Sequence, residues 1–429
     1  MPSVLALFAF VLLVLGGYGY VNQPTQEPPW NQAIPGFAFS PYQDGQSPIT
    51  QVEPELEDIN RDLALLAGKT QAIRTYTVAG VFGEIPRLAK AHNINVAMGA
   101  WLSVDLQANA KELERMMELA ERPPYNVIRL IVGNEAILRE DLTVEQVIAY
   151  LDTIRNSTDI PVSTAEPWHV WLKNPELAEH VDYLAVHLLP FWEGIALDDA
   201  VDFSINTYRQ LQQTFPGKPI VVTEVGWPSR GRSIRDANAS QANQAKFLRR
   251  FIQRAEQEGI VFYVMEAFDQ PWKSDIEGSV GGHWGVFDSF RNPKFEPDRP
   301  IIAIPQWKLL AAASVLVALL ILSGNSVMHA VFKYGAMAAR LPACPVSVNY
   351  ALMGGDYGRL KHVIEMVRPA VVFAEQTPAF RAALESVDFG DAALVTDEPS
   401  LDWRVRKKLQ ITRARIASPR ARRPTSARR

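Results

Sequence analysis

Three glutamates stand where apolar runs stop. Glu135 follows VIRLIVGN, Glu224 follows PIVVT and Glu266 follows VFYVM. A carboxylate at the end of a buried run loses hydration, so its repetition asks for a reason. A core salt bridge or a helix cap is the plain reason for any one of them. A pair flanking a glycosidic bond is the chemical one. One carboxylic acid then protonates the leaving oxygen, and the other attacks the anomeric carbon to give a glycosyl-enzyme. A retaining pair lies about 5–5.5 Å apart. Asn134, just before Glu135, is a candidate donor to a sugar hydroxyl or to the nucleophile. Arg74 and Tyr76 are candidates to orient Glu224. No Cys or His cluster has metal-ligand spacing, and the chemistry calls for no metal and no cofactor.

Stepping outward, these residues need elements to bring them together. Apolar runs at 36–42, 72–77, 94–101, 126–135, 160–166, 181–192, 218–229 and 260–268 read as eight strands. Amphipathic stretches follow most of them; in the first, Leu56, Ile59, Leu63 and Leu66 share one face. The count, order and length suit an α/β fold, a (β/α)8 TIM barrel over 30–300, whose site lies at the C-terminal ends of the strands. Glu135 and Glu224 then come from strands four and seven. A doubly wound nucleotide-binding sheet would carry a glycine-rich turn after an early strand, and GFAFSPYQDG does not match it.

Aromatic residues near the strand ends fit stacking on pyranose rings. Trp272 and Trp284 are the leading candidates. Tyr42, Trp101, Trp168 and Trp192 are further ones, while Trp227, inside VVTEVGWPS, is expected to pack the site. His187 reads equally as a sugar contact or as a satisfied core histidine.

The stretches VGNEAILR (132–139) and VVTEVGWPS (221–229) resemble the acid/base and nucleophile motifs of glycoside hydrolase family 17. GFAFSPYQDGQSP, RTYT (74–77) and EAFDQPWKSDIEGSVGGHWGVFD (266–288) resemble that family's first-strand, second-strand and eighth-strand regions. The resemblance covers about residues 34–290. It implies a retaining (β/α)8 enzyme for β-1,3-glucan, with Glu135 as acid/base, Glu224 as nucleophile, and Glu266 and Lys273 at supporting subsites. His187 departs from the aromatic the family places in strand six. Within the family, the chain looks similar to bacterial membrane-attached members tied to β-1,3/1,6-glucan assembly, which favours transglycosylation over hydrolysis.

The rest of the chain shapes that expectation. With 43 Lys plus Arg against 47 Asp plus Glu, the net charge of −4 gives no reason to expect a nucleic-acid partner. The lone cysteine, Cys344, excludes an internal disulfide. Val4–Val21 carries no charge and reads as an uncleaved anchor, or alternatively a signal peptide, within 1–21. Leu309–Phe332 carries none over 24 residues and reads as a transmembrane helix within 307–332. The barrel is thus expected to be flanked by two transmembrane helices. Lys333 and Arg340 put the cytoplasm beyond the second, which leaves the barrel on the periplasmic, extracytoplasmic side of the inner membrane. Residues 333–400 form a short segment without a clear fold; from 336 it resembles a fragment of an adenylate-forming acyl-CoA synthetase. Eleven basic residues and no acidic one between Arg404 and Arg429 mark 401–429 as a disordered tail. The partners implied are a β-glucan and a membrane. The rivals are a non-catalytic glucan-binding barrel, which would tolerate loss of one glutamate, a membrane scaffold, which would need neither, and a nucleotide-dependent synthase, for which no sugar-nucleotide site is evident.

Overall fold

The computed structural model describes residues 15–316 and, beyond them, 318–322, 333, 336–337, 343–346, 357–374, 377–390 and 392–396. The chain divides into two compact units, one of Pro24–Ala303 and one of Met1–Gln23 with Ile304–Arg429.

The first unit is a closed barrel of eight parallel strands in chain order. They are β1 (Ile34–Ala38), β2 (Thr70–Arg74), β3 (Asn95–Ala100), β4 (Val127–Asn134), β5 (Val162–Pro167), β6 (Leu184–Leu188), β7 (Ile220–Val225) and β8 (Val261–Val264). Closure comes from β1 pairing with β8, Gly36 opposite Tyr263 and Phe37 opposite Val264. Parallel strands covered on both faces become continuous apolar runs, and every residue of IVVTEV in β7 is buried. The outer ring is α1 (Leu56–Leu66), α2 (Ile85–Ala91), α3 (Leu106–Ala120), α4 (Val144–Arg155), α5 (Trp168–Lys173), α6 (Leu197–Thr214) and α7 (Gln241–Glu258). Their ends follow from local chemistry. The Asp105 side chain accepts from the N–H groups of Gln107 and Ala108 at the start of α3. Thr143 and Gln146 cap α4 reciprocally. Gly259 closes α7 with φ of 64°, a left-handed angle suited to glycine.

The second unit contains α8 (Trp307–Leu316), β9 (Ala318–Leu322), β10 (Ala343–Val346), α9 (Gly358–Val367), β11 (Pro369–Ala374), α10 (Thr377–Ser386) and β12 (Ala393–Thr396). Its strands form a parallel sheet in the order β10-β9-β11-β12. Leu360, Ile364, Val372, Phe380 and Leu384 meet in its core.

This arrangement corrects the expected membrane spans. The run Leu309–Phe332 is not one helix. Its helical part, α8, has 10 residues and a length of about 15 Å, half of a hydrocarbon core. Ala318–Leu322 then forms β9, whose backbone pairs with β10 on one side and β11 on the other. Residues 317 and 323–332 lie outside the described residues, as do 1–14 of the first expected span and the whole basic tail 401–429. Among the described residues, no helix is long and apolar enough to cross a membrane. The inner-membrane and periplasmic placement needed both spans and loses its support with the second.

Candidate active site

The site is built where β2, β4, β6, β7 and β8 end. Glu224, on β7, is 4% exposed. Its Oε1 accepts a hydrogen bond from Arg74 Nη1 at 2.5 Å and one from the Tyr76 hydroxyl at 2.9 Å. Arg74 ends β2 and is fully buried. Its other terminal nitrogen donates to Asn134 Oδ1, and its guanidinium lies 4.0 Å from the Tyr76 ring centre. One buried cation thus ties β2 to the ends of β4 and β7.

Glu135 is placed differently. Gly133 turns the end of β4 at φ of 88°, and Glu135 itself sits at φ of 52°. A side chain rarely adopts that angle, at a cost of about 1–2 kcal/mol. Its N–H donates to Ala165 O of β5 at 2.7 Å. Its side chain is 25% exposed, and its Oε1 lies 2.8 Å from His187 Nδ1 on β6. The same nitrogen is 3.6 Å from Glu224 Oε2. His187 therefore stands between the two carboxylates, and its buried Nε2 has no hydrogen-bond partner among the described residues.

Beside this pair, Lys273 Nζ donates to Glu266 Oε2 at 2.9 Å, and both residues are buried. Burial pushes the Glu266 carboxyl up to about 7 although Lys273 opposes it. Burial also raises Glu224, but the charges of His187, Arg74 and Lys273 and the Tyr76 hydroxyl outweigh it and hold the carboxyl below its ordinary range. Burial works against the Lys273 ammonium as well; Glu266, Glu277 and Glu224 more than compensate and raise its pKa. The Tyr76 phenol is driven well up by burial and then by Glu224.

One atom each from Glu135, His187 and Glu224 lie within 4.8 Å of one another, close enough to hold a cation. Arg74 and Lys273 already bring positive charge to Glu224, and Oε1 is taken by Arg74 and Tyr76. That donor set suits proton sharing better than metal binding.

The aromatic candidates separate. Trp192 is 38% exposed and Trp101 41%. Trp101 carries Arg139 over its face at 4.3 Å. Trp272 is half-buried, with its indole N–H on Gln270 Oε1 at 2.9 Å and its ring edge-on to Tyr42. Trp168 is half-buried and bonded to Glu193. Trp284 is a correction: it is fully buried beneath Trp192, ring centres 5.7 Å apart, and offers no face to a sugar. Trp227 is buried too, against Phe191 and Phe247.

Residues that sequence reasoning passed over also shape the site. Glu112 of α3 accepts from Thr77 Oγ1, from Val78 N at 2.9 Å and from Trp101 N at 3.1 Å, which fixes the loops after β2 and β3. Glu277 is pushed up by burial against the pull of Lys273. Neither stands at the end of an apolar run, the signal that marked the others.

The barrel matches the family model described as the BtgE/BtgC glycoside hydrolase domain over residues 36–285, more than half of the chain. The chain belongs to the BtgE/BtgC glycoside hydrolase domain family. Among similar members is a putative glucan endo-1,3-β-glucosidase, btgC, of Aspergillus niger, 26% identical over 302 residues; the match covers 62% of this chain and 43% of that protein. The chain thus spans less than half the length of that BtgE/BtgC relative. A Saccharomyces cerevisiae glucan 1,3-β-glucosidase is 26% identical over 265 residues, covering 56% of this chain and 85% of its own. The barrel also superposes on a Rhizomucor miehei β-1,3-glucanosyltransferase solved as an active-site mutant with laminaritriose. That structure has a TM-score of 0.55 and 26% identity, with 63% of this chain and 98% of that one covered. These findings support a fold like that of glycoside hydrolase family 17. They correct the expected bacterial membrane-attached type, because these relatives are fungal and no described helix can cross a membrane. The BtgE/BtgC match ends before the segment read as acyl-ligase-like.

Proposed function

We propose that the barrel acts on β-1,3-glucan by double displacement, with Glu224 as nucleophile and Glu135 as acid and then base. The observation that carries this reading is the approach of two carboxylates in opposite settings. Their nearest oxygens come within 4.8 Å, the scale of a retaining pair. Glu224 is buried, ionised and gripped by Arg74 and Tyr76 through Oε1, which leaves Oε2 to attack. Glu135 is partly open to solvent, as a group that must reach a leaving oxygen requires.

In the first step Glu224 Oε2 bonds to the anomeric carbon, the glycosidic C–O bond breaks, and the Glu135 proton goes to the departing oxygen. In the second, Glu135 takes the proton of an incoming hydroxyl. That oxygen bonds to the anomeric carbon and Glu224 is released. Water as the acceptor gives hydrolysis; a glucan hydroxyl gives transfer. The substrate class rests on the names of the relatives: a putative glucan endo-1,3-β-glucosidase, a glucan 1,3-β-glucosidase and a β-1,3-glucanosyltransferase solved as an active-site mutant with laminaritriose. Exposed Trp192 and Trp101 are the rings we assign to sugar stacking, with Trp272 a partly covered third.

Incubating the full chain with laminari-oligosaccharides and separating products by mass and linkage tests this, beside Glu224→Gln. Longer products from the wild type alone support transfer, and only shorter ones leave hydrolysis. A folded wild type that turns over neither way refutes the substrate assignment.

A further inference from the structure

The turn that carries Glu135 needs an anchor, and Glu166 supplies it. Asn134 of β4 pairs with Ala165 of β5, so Glu166 lies one residue beyond that register, level with Glu135. Its side chain is fully buried. Oε1 accepts the N–H of Ile137 at 2.9 Å and Oε2 accepts that of Leu138 at 3.3 Å. From the other side, Arg139 donates to Asn134 O and to Leu102 O. The Arg139 N–H closes the turn on Glu135 O at 2.8 Å. The segment 135–139 is therefore held by the Glu166 carboxyl, which takes two of its N–H groups, and by its own Arg139, whose guanidinium reaches the carbonyls of Asn134 and Leu102 outside it.

A carboxylate is a costly way to satisfy two N–H groups in the interior. Burial, with the Glu135 charge nearby, pushes the Glu166 carboxyl up to about 7 despite the hydrogen bonds from Ile137 and Leu138. The strained residue in this turn is Glu135, whose left-handed backbone angle persists only if its surroundings hold it. Without the clamp, relaxation of that angle swings the Glu135 carboxyl away from His187 and from the bond it must protonate.

We propose that Glu166 is a positioning residue that acts through the Ile137 and Leu138 N–H groups to hold Glu135 in line with the leaving oxygen. The inference rests on the acid/base reading of Glu135, and the test separates the two.

The full chain, Glu166→Gln and Glu135→Gln are compared on a laminari-oligosaccharide, whose leaving group needs a proton, and on a dinitrophenyl laminaribioside, whose leaving group does not. The amplitude of the dinitrophenolate burst counts functional sites, one released per glycosyl-enzyme formed, so each rate is per folded enzyme. Glu166→Gln keeps the size but replaces one acceptor with a donor. It should lower kcat on the oligosaccharide roughly 10- to 100-fold with KM within about twofold, while the burst rate on the aryl glycoside changes less than about threefold. Equal losses on both substrates, or no loss on either, overturn the proposal. If Glu166→Gln yields no burst, Glu166→Asp decides by the same ratio, since it keeps charge and both acceptors on a shorter stem. If Glu135→Gln itself loses both substrates equally, the acid/base reading fails, and that result does not depend on Glu166.

Discussion

The ends of β4 and β7 both deliver a glutamate to the same space, and they do it in contrasting ways. At β7 no residue takes a left-handed backbone angle, and the side chain is held, by Arg74 and Tyr76, in near-complete burial. At β4 the backbone is strained and the side chain keeps one polar partner, His187, and a quarter of its exposure. A group that attacks from a fixed place gains from rigid charge pairing. A group that gives and takes a proton gains from a hinged, half-open position, with the rigidity moved into the backbone beneath it.

Several changes break or sharpen that contrast. On the proposed roles, Glu224→Gln removes the charge of the attacking oxygen and should lower turnover on every substrate by on the order of 10⁴-fold or more, read in steady state. Glu135→Gln should cost about 10²–10⁴-fold on oligosaccharides and spare the aryl-glycoside burst, so the two ends differ by leaving-group dependence. Arg74→Lys replaces a planar fork with a point charge and leaves either Glu224 or Asn134 without its donor. It should make β7 as loosely held as β4, with roughly 10²-fold lower kcat and a lower Tm. Trp192→Ala should raise KM for longer oligosaccharides by about tenfold and leave kcat nearly unchanged, the mark of a rim contact.

The smallest effect concerns pH. Burial raises Glu166 and Glu266 from an ordinary 4.5 to about 7. A carboxyl whose folded pKa exceeds its unfolded one favours the fold while protonated. Its contribution is full below the unfolded value and is lost as pH rises through the folded one. Tm should therefore fall between about pH 5 and pH 8, and Glu166→Gln should flatten part of that slope. A Tm that rises across this window would contradict the raised values.

Much of the barrel was legible because its strands are covered on both faces. VIRLIVGN, PIVVT and VFYVM are mostly apolar, so a glutamate at the end of each stands out. The same property misled in the second unit. Ala318–Leu322, ALLIL, is the paired middle of a parallel sheet, and hydropathy alone cannot tell such a strand from part of a membrane helix. Trp284 looked like a sugar platform because residue type gives no face; the fold turned it inward beneath Trp192. Glu166 and Glu112 were unreadable for another reason. Most of their partners are backbone N–H groups, some at separations of 29 and 34 residues, which leave no trace in residue identity.

The barrel also begins and ends at one spot. Thr25 N–H donates to Ile301 O at 2.9 Å, and Ile301 N–H returns the bond to Thr25 O at 2.9 Å. Arg249, 1% exposed, secures both strands at once through the carbonyls of Glu27, Pro28 and Arg299. Residues exchanging both bonds stand about 5.5 Å apart, so a very short linker spans them. The barrel unit is therefore a plug-in module. A circular permutant joined there, or a splice of the unit into a surface loop of another protein, is expected to leave both host and barrel unstretched.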